Sequence, residues 1–113
     1  MLFTIPSIAP IRPVEATLVL NPELIPICTC ESSQGTGMPQ HYDIETGNVL
    51  HGEINNKDIG ICQINEYWNG VEATELGFDI YTEYGNISMA NYMYERQGTT
   101  PWNPSISCWG PKK

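Results

Sequence analysis

Asp58-Ile59-Gly60-Ile61-Cys62-Gln63-Ile64-Asn65, running on into Glu66-Tyr67-Trp68, is the stretch where the chain changes its period. Ile59, Ile61 and Ile64 are β-branched and closely spaced, which predicts a short extended piece. From Glu66 the pattern is helical as far as Leu76, and Gly77 supplies the stop. Upstream, His41-Tyr42-Asp43 on one side and Val49-Leu50 with Ile54 on the other flank Glu45-Thr46-Gly47-Asn48, a turn signal that predicts a β-hairpin. Downstream, a helix is expected from about Thr82 to Gln97, with Ile87, Ala90, Asn91 and Tyr94 on one face and Gly98 as its stop. A further helix is expected to open at Asn21 as N-cap, with Pro22 at its first position and Glu23 facing the positive end of the dipole. It should run to about Ser33, and Pro26 delays its start by up to a turn. The tail through Trp102 and Trp109 reads as irregular. Helices gathered around a small antiparallel sheet define an α+β domain.

The chain has 113 residues, the size of one domain. With 41% hydrophobic residues, three Trp and six Tyr, it is too apolar and aromatic for disorder. Five of the nine prolines fall within residues 1–26. Residues 1–20 are therefore read as linker and residues 21–113 as the folded domain. Lys and Arg number 5 against 13 Asp and Glu, a formal net charge of -8, which opposes binding to nucleic acid or to an anionic membrane surface. No apolar run reaches the roughly 20 residues needed to cross a bilayer. The first residues also lack the basic start of a secretory signal, so export would have to be supplied elsewhere. The four cysteines, Cys28, Cys30, Cys62 and Cys108, fit two disulfides in an oxidising compartment; free thiols and a zinc site are the alternatives, although paired C-x2-C spacing is absent.

Two carboxylates stand in contrasting surroundings, the arrangement glycosidic cleavage needs, because one acid must stay protonated while the other stays ionised. Glu31 follows Ile27 and Cys30 at the end of an apolar helix, where partial desolvation raises a carboxyl pKa. Asp58 ends the polar run Asn55-Asn56-Lys57-Asp58, where Lys57 and the amides are expected to hold it ionised. Spacing alone leaves these as two acids among thirteen.

The run Asp58 to Asn65, with Tyr67-Trp68 after it, resembles the D-x-G-I-x-Q-I-N segment of c-type lysozymes. Glu31-Ser32 is similar to the E-S motif of lytic transglycosylases and the wider lysozyme superfamily, and Gly60 to Gln63 to their G-L-M-Q motif. Asn86-Ile87, Ala90 and Tyr92 resemble their third-helix segment, so the likeness covers roughly residues 22 to 110. It implies a lysozyme-like fold, Glu31 as acid, Asp58 as second catalytic carboxylate, and Ser32, Gln63 and Asn65 in the substrate cleft. Cys30-Glu31-Ser32, with a late cysteine after Gly98-x-x-Pro101-Trp102, resembles the resuscitation-promoting factors, which implies a Cys30–Cys108 disulfide and leaves Cys28 with Cys62.

Sugar rings stack on aromatic faces, yet most Trp in a small domain is core. Tyr42 and Trp102 are taken as cleft residues, Trp68 as core, and Trp109 as packing on the disulfide. His41 and His51 are assigned no metal or catalytic role, and no cofactor is expected. Asn86-Ile87-Ser88 matches the N-glycosylation acceptor but is read as a chance match on a helix. The reading is an extracytoplasmic monomer that cleaves peptidoglycan glycan strands at the β-1,4 bond between N-acetylmuramic acid and N-acetylglucosamine. Its alternatives are a lytic transglycosylase forming 1,6-anhydromuramic ends and a non-catalytic glycan-binding module.

Overall fold

The computed structural model describes residues 19–111. Most of the expected linker, residues 1–18, lies outside them. The fold is α+β: α1 (Ile25–Ser32), β1 (Asp58–Ile59), β2 (Ile64–Asn65), α2 (Glu66–Glu75), α3 (Glu83–Gln97) and α4 (Ile106–Trp109), with 3-10 turns at Pro22–Leu24 and Thr100–Ser105.

Helix ends follow the local signals. The Asn21 side chain accepts from the Glu23 amide, and the Pro22–Leu24 turn precedes α1 because Pro26 sits at the second α-helical position. Thr82 caps α3 by accepting from the Gly85 amide, and Gly98 ends it at φ +63°. Leu76 closes α2, with Gly77 following at φ +84°. The tail expected to be irregular coils into the second 3-10 turn and α4, stapled by a disulfide from Cys108.

The fold begins earlier than Asn21. The Asn91 side chain on α3 donates to the Val19 carbonyl and accepts from the Asn21 amide, and Leu20 packs against the core.

The expected single extended piece over Ile59, Ile61 and Ile64 instead folds back on itself. β1 and β2 pair antiparallel, Asp58 opposite Asn65 and Ile59 opposite Ile64. The turn between them needs Gly60 at φ +77°, where any Cβ would come 2.5 Å from the His41 ring and 2.6 Å from the Asn86 amide. Gln63, at φ +52°, completes the turn by donating its backbone N–H to the Gly60 carbonyl.

The expected hairpin is reduced to the isolated bridges Tyr42–Val49 and His51–Ile59. Asp43 is the reason, because its carboxylate accepts from the Glu45 and Thr46 amides and its carbonyl from Gly47, drawing those donors into a tight loop.

The core joins Leu24 and Ile27 of the first helical segment, Ile59 and Ile64 of the sheet, Phe78 and Ile80, and the α3 residues Ile87, Met89, Ala90 and Met93. Every residue from Gly85 to Ala90 is buried, so α3 runs through the middle of the domain. The one polar amide in that stretch, Asn86, is fully buried. It accepts from the Cys62 amide and donates to the Ile59 and Ile80 carbonyls, pinning the β-turn to α3. A side chain so committed is no glycan acceptor.

His41 is also buried. Its Nδ1 accepts from the Ile61 amide and its Nε2–H donates to the Tyr81 carbonyl. His51 donates Nδ1–H to the Asn56 carbonyl.

All four cysteines are paired. Cys28 points into the core and bonds Cys62, while Cys30, two residues on and therefore on a different side of the helix, bonds Cys108. The Cys30–Cys108 link closes a separation of 78 residues. On the chain-entropy model such a link contributes about 4 kcal/mol. Disulfides of this kind suit an oxidising compartment. No helix among the described residues is long and apolar enough to cross a membrane.

Candidate active site

Glu31 is in the last turn of α1, and Asp58 is the first residue of β1. Both carboxylates line a cavity of about 480 Å³ together with Asn65, Trp68, Gln97 and Trp102. They also line a second cavity of about 370 Å³, bounded by Gln34, His51, Gly52 and Glu53. Glu31, Asn55, Asp58 and Gln63 are common to both, so the acids stand where two chambers of one groove meet.

Burial pushes the Glu31 carboxyl above its ordinary value; a hydrogen bond from Ser105 opposes that shift and the charge of nearby Asp58 reinforces it. Ser105 donates to Glu31 Oε2 at 2.6 Å. Asp58 has a different environment. The β1–β2 register sets Asn65 directly opposite, and the Asn65 amide donates to Asp58 Oδ1 at 2.9 Å. The other end of that amide accepts from the Trp68 backbone and caps α2, so a single side chain fixes the carboxylate and starts the helix.

The sequence points to Lys57 and the neighbouring amides as the company of Asp58, whereas the side chain that bonds it is Asn65. Lys57, in the turn that leads into β1, is exposed and lies 3.9 Å from Glu66. Gln63 reaches both chambers, its amide steadied by donation to the Gly60 carbonyl. Beside it the backbone at Gly52 approaches closely: an added Cβ would lie 2.9 Å from Gln63 Oε1 and 2.5 Å from the Asn55 carbonyl.

Of three further expected cleft residues, Ser32 and Trp102 line the chambers as buried wall and Tyr42 lies outside both. Ser32 is buried, accepting from the Gln40 amide and lying 2.7 Å from the Ile61 carbonyl and 3.0 Å from the Cys28 carbonyl. Its hydroxyl ties α1 to the β-turn, and its one proton is committed to backbone carbonyls. Trp102 is 3% exposed and donates its indole N–H to the Cys62 carbonyl, so it forms the floor of the cavity rather than an open stacking face. Tyr42 is exposed but lines neither chamber, being held at the Val49 bridge.

The aromatic that faces the groove is Trp68. It was expected in the core, yet it is 78% exposed and lines the larger chamber. Only Ala73 of α2 is buried, and Trp68, five residues earlier, projects about 140° away from it around the helix. Trp109 packs against the core and donates its indole N–H to Ser105 Oγ at 2.9 Å.

Ser105, Gly52 and Gln97 were not singled out from the sequence. Ser105 carries no local signal, since its partner is 74 residues away. Gly52 had one: a glycine inside an apolar strand pattern marks a close backbone approach.

A third cavity, of about 660 Å³, runs along α2 and the loop after it and contains neither Glu31 nor Asp58. Among the described residues no group of three or more His, Cys, Asp and Glu side chains is placed to hold a metal ion. Comparison with protein-family models, with curated proteins and with solved structures returns no match.

Proposed function

We propose that this chain is a lysozyme-like glycosidase that hydrolyses the β-1,4 bond between N-acetylmuramic acid and N-acetylglucosamine in peptidoglycan. The observation that carries the proposal is the pair of unlike carboxylates at one junction: Glu31, whose carboxyl is raised by burial, and Asp58, which accepts from Asn65. A carboxyl that holds its proton to higher pH than usual is equipped to protonate a leaving glycosidic oxygen. A carboxylate beside it stabilises the oxocarbenium-like transition state or traps the glycosyl group. Glu31, ionised by that transfer, then takes a proton from the attacking water. The two chambers accommodate sugars on either side of the cleaved bond. Trp68 offers a face on which one ring stacks, while Gln63 and Asn65 supply amides for hydroxyl or acetamido groups. The two disulfides fit an extracytoplasmic site of action.

Asp58→Asn tests the hydrolytic assignment. Removing the charge while keeping the shape should lower the rate of glycan hydrolysis by about a hundredfold or more, because electrostatic stabilisation of the developing cation is lost. Retention of parental turnover, with anhydromuramic ends on the fragments, would instead assign a transglycosylase that uses Glu31 alone.

The net charge of -8 makes a second prediction. Intact bacterial walls are anionic, so lysis should rise as salt goes from about 10 to about 100 mM and the Debye length shortens from about 30 to about 10 Å. A steady fall over that range contradicts an encounter limited by repulsion.

A further inference from the structure

The hydroxyl of Ser105 has three polar neighbours and one proton. Glu31 Oε2 lies at 2.6 Å, the Trp102 carbonyl at 3.1 Å, and the Trp109 indole N–H donates to the same oxygen at 2.9 Å. A hydroxyl has one donor and two lone pairs. The indole can only donate, and its N–H is shared between a Ser105 lone pair at 2.9 Å and the Trp102 carbonyl at 3.3 Å, the serine being the nearer. The remaining lone pair and the O–H are then divided between Glu31 and the Trp102 carbonyl, and the division depends on Glu31.

When Glu31 is ionised, Ser105 donates to it. When Glu31 carries its proton, the carboxyl O–H donates to Ser105 Oγ and the serine proton turns to the Trp102 carbonyl. The Trp102 carbonyl keeps the Trp109 indole N–H at 3.3 Å in either arrangement, so every group has a partner in both, with no movement of heavy atoms. The support is rigid at both ends. Trp102, three residues before, is buried and tied to Cys62, and Cys108, three residues after, is bonded to Cys30, the neighbour of Glu31. Pro104 restricts the backbone between them.

We propose that Ser105 is a positioning residue that holds the Glu31 carboxyl in one orientation through both halves of the catalytic cycle, by reversing the direction of their shared hydrogen bond. The role rests on Glu31 acting as acid and then base. Fixing the carboxyl in both protonation states keeps the same oxygen aimed at the junction when the proton leaves and when it returns.

The ionisable groups sharing Glu31's surroundings are Asp58 from β1 and His51 and Glu53 from the loop before it. The segment Thr100–Trp109 brings no titrating side chain, since Cys108 is in a disulfide. Ser105 is therefore the contact from that side through which Glu31's titration can be altered.

The decisive experiment is a carbon-13 NMR titration of the Glu31 side-chain carboxyl in the full chain, on the parent, Ser105→Ala and Ser105→Thr, with thermal unfolding as a check of the fold. Ser105→Ala should move the Glu31 midpoint upward, because the ionised form loses its donor, and Ser105→Thr should restore it. With glycan substrate, Ser105→Ala should lower kcat roughly tenfold with little change in KM and carry the alkaline limb of the profile upward. An unchanged midpoint in folded Ser105→Ala overturns the proposal. If that variant does not fold, Trp109→Phe decides: losing the indole N–H should move the midpoint the same way by less, and no movement overturns the proposal. The titration reads the coupling without any cleavage, so a chain that cuts no glycan would refute the glycosidase reading and leave this test standing.

Discussion

Glu31→Gln should cost between about a hundredfold and ten-thousandfold in the rate of glycan cleavage, the range general acid catalysis supplies, while leaving the fold intact. Gln keeps the shape and can still meet Ser105, but it has no proton of the required acidity. The same variant makes a second, opposite forecast for stability. Burial raises the Glu31 carboxyl above its ordinary 4.5, so the folded state holds the proton more tightly than the unfolded chain does. For a carboxyl shifted this way the stabilising contribution is fully present below the unfolded value and is lost as pH rises through the folded one. Removing the charge removes that loss. Glu31→Gln should therefore match or exceed the parent Tm at pH 7, with the difference disappearing below about pH 4. A variant both inactive and less stable at pH 7 would mean that Glu31 is a structural residue.

Asn86→Ala should be among the most damaging single changes away from the groove. It strands three buried backbone groups: the Cys62 amide and the Ile59 and Ile80 carbonyls. Each unsatisfied group costs about 1 to 3 kcal/mol, so the total is at least about 3 kcal/mol. For a domain of this size that is a fall in Tm of more than about 10 °C. The β-turn that presents Asp58, Gln63 and Asn65 hangs on the same amide, so activity should fall before the variant melts. A Tm within about 3 °C of the parent would show that water or a shifted neighbour replaces those bonds.

What the sequence makes legible here is what short-range chemistry decides. Asn21 with Pro22, Thr82, Gly77 and Gly98 mark helix ends through their own backbone preferences, and the structure keeps them. The α+β class followed from those ends and from the isoleucines. The strand layout was less legible. Ile59, Ile61 and Ile64 have β-branched side chains whether the chain runs straight or folds back, and what bends it is Gly60 squeezed between His41 and Asn86.

The site divides in the same way. Glu31 and Asp58 were visible because their neighbours in sequence differ in polarity. The partners that act on them were not, since Asn65 reaches Asp58 through strand register and Ser105 reaches Glu31 across most of the domain. Lys57, next to Asp58 in sequence, is placed by its turn beside Glu66 instead, for adjacency in sequence is not contact between side chains. The aromatics exchanged roles. Trp102, in a Pro-rich tail, is buried because a disulfide and Cys62 hold that tail against the core, and Trp68 is exposed because α2 buries little more than Ala73.

The central claim is that Glu31 and Asp58 together hydrolyse a glycosidic bond of peptidoglycan. Its most direct test is a digest of purified peptidoglycan with the parent chain and with Glu31→Gln, read by mass spectrometry of the released fragments. The account predicts muropeptides with ordinary reducing ends from the parent and none from the variant. Fragments lighter by one water would contradict hydrolysis, and the absence of fragments from the parent would contradict cleavage altogether.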